Sequence, residues 1–171
     1  LGAEISREYA GDHVLVVGLV TGALVFTADI VRALEVDVDL HVLRVSSGLE
    51  HEYGTPRTDI VYAGHIPYED QHVLVVSDVI TTGVTLHFLV EHIRGRRPKT
   101  LRICTLLDRP EERKIELKPD WAAFELRDTL GRGFMVGYGL GHHGRYCGLR
   151  HLAEIPHPPR ATDGAPAVSK A

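Results

Sequence analysis

The sequence predicts an α/β domain with a mostly parallel central sheet flanked by helices. Three observations carry this expectation. Val14–Gly18, Val73–Val76 and Thr100–Leu107 are short apolar runs rich in Val and Leu, as in strands buried on both faces. Ala23–Leu34 and Thr85–Arg94 place apolar residues at helical spacing. Strand, helix and strand then alternate at a spacing that short right-handed crossovers require.

In chain order, the opening residues read as the interior of a helix, and Val14–Gly18 follows as the first strand. Leu24, Ile30, Val31 and Leu34 form the apolar stripe of the next helix. Leu40–Val45 is a further strand with less regular alternation. Ser46–Tyr68 carries Gly, Pro and charged residues with little periodicity and reads as a long mobile loop with room for a short hairpin. After Val73–Val76, the residues Leu86, Leu89, Val90 and Ile93 make one stripe of a helix, which Gly95 and Pro98 end. Two shorter extended segments lie around Trp121–Glu125 and Phe134–Tyr138. The expected division is a folded domain over 1–155 and a disordered Pro-, Ala- and Gly-rich tail over 156–171.

Composition narrows the function. A chain of 171 residues with 44% hydrophobic and 25% charged residues is one ordinary globular domain. A formal charge of −4 argues against a nucleic-acid-binding surface. No apolar run reaches the roughly 20 residues of a membrane helix. No signal peptide is visible, and two cysteines are too few for a disulfide framework, so a reduced cytoplasmic setting is expected. Cys104, in an apolar run, reads as a buried small hydrophobe.

The most informative stretch is Val73–Thr85, where a buried strand runs into a turn and then a helix. Thr81, Thr82, Gly83 and Thr85 offer hydroxyls and backbone N–H groups at a helix N-terminus, which suits a phosphate. Gly83 allows close backbone approach. Asp78, read as the end of the strand, stands where ligands bind in open parallel sheets, in reach of sugar hydroxyls or a metal. A plain strand-to-helix turn with a Thr cap is the alternative on spacing alone.

The pattern Asp78-x-x-x-Thr82-Gly83-x-Thr85 resembles the phosphoribosyl pyrophosphate (PRPP) loop of the type I phosphoribosyltransferases. Similarity to the hypoxanthine-guanine branch continues along the chain. Val16–Ile30 is similar to its first strand, pyrophosphate loop and crossover helix. Val45–Gly48 matches the start of its flexible catalytic loop, with Ser46 and Ser47. Cys104–Pro110 resembles the purine-contacting strand end, and Phe134–Leu140 the hood over the base. The resemblance spans about residues 1–155 and implies that family's fold, a parallel sheet with a small hood.

It also implies a function: transfer of a 5-phosphoribosyl group from PRPP to a nitrogen-ring or carboxylate-bearing acceptor, with release of pyrophosphate. Asp78 would hold the ribose hydroxyls and, weakly, a metal. Thr81, Thr82, Gly83, Val84 and Thr85 would hold the 5-phosphate, and Thr21 and Gly22 the pyrophosphate. Arg109 would grip the acceptor's polar edge as a catalytic residue with Asp78. Phe134 and Met135 would face its ring. Mg²⁺ is expected with PRPP, held mainly by the substrate's oxygens, and a homo-oligomer, dimer or tetramer, is the family habit.

The chain departs from the pattern at chemistry-bearing positions. The family's paired carboxylates are Ser77-Asp78 here, and its general-base Asp is Thr81, which takes no proton at neutral pH. Thr21, after Val20, stands for a Lys. Gly141 stands for a metal-facing Asp and Cys147 for an Arg, with Arg145 and Arg150 close by. Arg109 stands for a Lys. Two classes of function follow: a transferase with an altered acceptor, or a non-catalytic PRPP- or nucleotide-binding regulator or partner subunit. His142 and His143, in the Gly-rich loop after the hood, read as exposed loop residues, with proton transfer or metal binding as alternatives. Trp121 reads as packing, Arg94–Arg97 as helix-end solubility, Glu111–Lys114 as a solvated surface turn, and Asp128 with Arg132 as a loop salt bridge. Tyr53 and Arg57 lie in the long loop that closes over the site in the family.

Overall fold

The computed structural model describes residues 1–49, 56–62, 64–127 and 133–156. Its elements are α1 (Gly2–Glu8), β1 (His13–Leu19), α2 (Leu24–Ala33), β2 (Asp37–Leu49), β3 (Pro56–Tyr62), β4 (His72–Ile80), α3 (Val84–Arg94), β5 (Thr100–Asp108), β6 (Trp121–Glu125), β7 (Phe134–Val136) and β8 (Ala153–Ile155). Six strands form one sheet in the order β3-β2-β1-β4-β5-β6. All neighbours are parallel except β2 and β3. Antiparallel β7 and β8 make the separate hood. This is the α/β architecture expected from the sequence.

α3 covers the sheet with the stripe its sequence provides, whereas the stripe expected for α2 is corrected: Ile30 is buried and Val31 and Leu34 partly so, but Leu24 is 50% exposed and Phe26 is buried instead. Leu86, Leu89, Val90 and Ile93 of α3 pack with Leu15, Val17, Val73 and Val75 on one face. Ile5 of α1 and Phe26 and Ile30 of α2 pack with Val14, Val16, Leu74 and Val76 on the other. Adjacent residues of β1 and β4 thus feed opposite cores, which is why those strands read as unbroken apolar runs. Gly18 lets α2 lie directly on β1, because a Cβ there would stand 2.7 Å from a methyl of the buried Thr27.

Of the reading of Ser46–Tyr68 as a long loop with room for a short hairpin, the paired strands are present and the extent of the loop is corrected. β2 runs on to Leu49 and pairs with β3 from Leu43↔Tyr62 to Leu49↔Pro56. An antiparallel edge ribbon is held by backbone hydrogen bonds and needs no apolar period, so the sequence pattern left its length unmarked. Ser46 and Ser47 are therefore strand residues, opposite Asp59 and Thr58. The tail over 157–171, Tyr53, Asp128, Arg132 and the side chains of Ser46, Ser47 and Arg57 lie outside the described residues.

Strand order positions the site. From β1 the chain crosses through α2 to β2 on one side, and from β4 it crosses through α3 to β5 on the other. The order reverses between neighbouring β1 and β4, so a crevice opens at their carboxyl ends. Among the described residues no helix is long and apolar enough to cross a membrane.

Candidate active site

A cleft of about 670 Å³ occupies that switch point. It brings together Thr21 and Gly22 after β1, Asp78 and Thr81 at the end of β4, Arg109 after β5, and Phe134 and Met135 of the hood. Seven residues expected in the site from sequence alone thus share one cavity. Thr82, Gly83, Val84 and Thr85 do not line it and continue from Thr81 into α3.

Asp78 is not the strand terminus, because β4 continues to Ile80 through Val79↔Leu107 and Ile80↔Asp108. Its Oδ1 accepts the Val79 N–H at 2.8 Å, and its Oδ2 faces the backbone of Gly22, where a Cβ would stand 1.9 Å away. Gly22 is required at this approach. Burial pushes the Asp78 carboxyl above the usual carboxylate range, and hydrogen bonds from Val79 and Ser77 oppose that shift. Beside Gly22, the peptide Val20–Thr21 is cis.

Gly83 precedes α3 with φ of +80°, a conformation that favours glycine. The N–H groups of Thr81, Thr82, Gly83 and Thr85 have no partner among the described residues, while that of Val84 is 3.4 Å from the Thr82 hydroxyl. Free donors at the positive end of a helix form an anion-binding arrangement.

Arg109 is buried and already engaged. Its Nη1 donates to Glu112 Oε1 at 2.8 Å and its Nη2 to the Gly133 carbonyl at 2.9 Å, while its Nε has no partner among the described residues. Glu112 itself lines the cleft. An acceptor carboxylate would meet a guanidinium neutralised by Glu112, so the geometry does not favour that part of the acceptor expectation. Phe134 is 36% exposed, with its ring 4.7 Å from that of His142, which in turn lies 4.2 Å from His143. Neither histidine lines the cleft.

Sequence reasoning missed Glu112, Arg113 and Gly139. Glu111–Lys114 is not simply a solvated turn, since Arg113 is half-buried, pairs with Asp108 and donates to the Thr81 carbonyl at 2.8 Å. A run of charges signals solvent only while no buried partner is known, and Asp108 is the buried last residue of β5. Gly139, with φ of +96°, brings the hood against the Gly22 carbonyl, where a Cβ would stand 2.8 Å away. Among the described lining residues only Asp78, Arg109 and Glu112 are charged, because Thr21, Thr81, Gly141 and Cys147 are neutral side chains. No group of three or more metal-ligating side chains occurs among the described residues.

A parallel sheet with a cleft at its switch point, a donor-rich loop opening a helix and a hood above defines a class of α/β enzymes that bind phosphate esters. The phosphoribosyl transferase domain model matches residues 1–140. The chain is 35% identical over 155 residues to hypoxanthine-guanine phosphoribosyltransferase of Bacillus subtilis, covering 91% of this chain and 84% of that one. It is 36% identical over 163 residues to hypoxanthine phosphoribosyltransferase of Haemophilus influenzae, covering 91% and 86%. The crystal structure of a hypoxanthine-guanine phosphoribosyltransferase from Bacillus anthracis, with a HEPES molecule in its active site, superposes with a TM-score of 0.77 at 34% identity, covering 90% and 86%. The chain belongs to the phosphoribosyltransferase family.

Proposed function

We propose that this chain transfers the 5-phosphoribosyl group of PRPP to a 6-oxopurine, of the hypoxanthine or guanine type, and releases pyrophosphate. One observation carries the reading: Thr21, Gly22, Asp78, Thr81, Arg109 and Phe134 share a single cleft, in a chain whose relatives bear hypoxanthine-guanine phosphoribosyltransferase as their name. Asp78 accepts hydrogen bonds from ribose hydroxyls, the N–H groups of residues 81–85 hold the 5-phosphate, and Phe134 with Met135 packs on the ring. The oxo group of a neutral purine suits an Arg109 already paired with Glu112 better than a carboxylate does.

In the reaction the bond from C1 to the pyrophosphate oxygen breaks, a bond from a ring nitrogen to C1 forms, and the proton on that nitrogen leaves. Thr81 takes no proton and Glu112 is tied to Arg109, so the proton passes to solvent or to the departing pyrophosphate. Mg²⁺ arriving with PRPP supplies charge neutralisation at the pyrophosphate. Asp78 is the carboxylate this chain offers it at that edge of the cleft, consistent with a metal held mainly by substrate.

The scarcity of charge in the cleft favours a second reading, tight nucleotide binding with slow turnover. Calorimetric titration of PRPP with and without Mg²⁺, followed by a pyrophosphate-release assay over hypoxanthine, guanine and aromatic carboxylates, tests both. Release with a purine is the expected result. Binding without release on any acceptor leaves the second reading, and release only with a carboxylate overturns the acceptor assignment.

A further inference from the structure

The carbonyls of three consecutive residues before α3 are all taken by the turn that follows β5. The Arg109 N–H donates to the Ile80 carbonyl at 2.9 Å, Arg113 Nη1 to the Thr81 carbonyl at 2.8 Å, and the Lys114 N–H to the Thr82 carbonyl at 3.0 Å. In a planar trans peptide the N–H of each following residue points away from that carbonyl. Holding these carbonyls on one side therefore turns the N–H groups of Thr81, Thr82 and Gly83 to the other, and these are the donors without a partner among the described residues.

Two of the three clamps are backbone contacts that any residue in this turn supplies. The middle one depends on a single side chain. Arg113 and its partner Asp108 are 12% and 9% exposed, so the pair is largely withdrawn from water. The Arg113 stem also lies against the loop, its Cδ 3.1 Å from where a Gly83 Cβ would stand. A guanidinium is suited to this task because it bonds a carboxylate and a carbonyl at once from one rigid plane.

We infer that Arg113 is a positioning residue: by holding the Thr81 carbonyl it aims the Thr82 N–H at a phosphate monoester, and its stem against Gly83 supports the neighbouring donor. Asp108 orients the guanidinium from behind. The inference rests on the reading of residues 81–85 as the 5-phosphate site, and it assigns Arg113 no contact with substrate.

The test uses the whole chain and two probes that do not depend on the acceptor, ribose 5-phosphate by calorimetry and inorganic phosphate by amide NMR. Arg113→Met alone would strand the Asp108 carboxylate, so it is combined with Asp108→Asn, and Arg113→Lys serves as the conservative variant. In the native protein the Thr82 and Gly83 amide resonances shift with phosphate. In the double variant those shifts shrink and ribose 5-phosphate binds about tenfold more weakly. PRPP KM rises while kcat and acceptor KM hold, and Arg113→Lys falls between. A folded double variant with native affinity and native amide shifts overturns the inference. Should the double variant not fold, a folded Arg113→Lys with both values native overturns it equally. A native protein that binds neither probe overturns the phosphate-site reading itself, and the positioning role with it.

Discussion

The two sides of the cleft are built from different materials. On the side of β4 and α3, the loop from Thr81 to Thr85 presents backbone N–H groups and is braced from behind by the 109–114 turn. On the side of the β1 turn and the hood, Thr21, Gly22, Gly139, Gly141 and Cys147 present neutral side chains or none. Backbone donors need only the right path of the chain, and they tolerate many side chains. Neutralising a pyrophosphate or taking a proton needs particular charged side chains, which a single substitution removes. The cleft therefore carries backbone donors on one side and few charged side chains on the other.

The sharpest test of that contrast adds chemistry to the depleted side. Thr81→Asp should raise purine transfer by about a hundredfold, as a positioned general base does, with little change in ribose 5-phosphate affinity. Release assays over hypoxanthine and guanine measure it, and an unchanged rate would indicate an acceptor that needs no base.

Asp78→Asn should weaken PRPP binding by roughly tenfold or more, since a charge-assisted contact to the ribose is lost. It should also raise the melting temperature near neutral pH. A carboxyl whose pKa is raised on folding gives a native state that is most stable below the ordinary carboxylate range. That stability falls as pH rises through the range toward the raised value. The Asn variant escapes the loss, so its advantage should vanish in acid. Parallel melts across pH show whether the crossing occurs.

Gly139→Ala should strain a backbone at φ of +96° and push the hood from the Gly22 carbonyl. A cost of about 1–2 kcal/mol is expected from the conformation alone. The melting temperature should drop by several degrees and affinity for a nucleotide should fall, while ribose 5-phosphate affinity should change less. Equal losses for both ligands would mean that the two sides are not independent.

The smallest effect concerns the thiols. Burial pushes Cys104 up to about 12, whereas Cys147 is exposed in the cleft. A maleimide should label one cysteine per folded chain and two after denaturation, and a nucleotide should slow the first reaction. Labelling of both thiols in the folded state would contradict the packing of β5.

Some of this was legible before any coordinates. The Val- and Leu-rich runs named β1, β4 and β5, and the stripe of α3 named the face it buries, because apolar burial leaves a local periodic record, whereas the stripe read for α2 misplaced Leu24, which is exposed. Gly83 and the threonines around it marked the turn into α3 for the same reason, since a turn into a helix has its own chemistry. The edge ribbon of β2 and β3 left no such record, because backbone hydrogen bonds hold it.

The path of the backbone through β1, β4 and the loop before α3 is thus written in short windows of residues, where period and turn chemistry act over a few positions. What surrounds the loop is not. Arg113 meets Asp108 and the Thr81 carbonyl, Glu112 occupies Arg109, and Gly139 touches Gly22 only after distant segments converge at the switch point. A charged residue in a sequence carries no sign of its partner, and burial turns the same arginine from a solvated surface group into a brace. The difference is physical: periodicity is a property of neighbours along the chain, whereas the pairing and desolvation of charges are properties of neighbours in space.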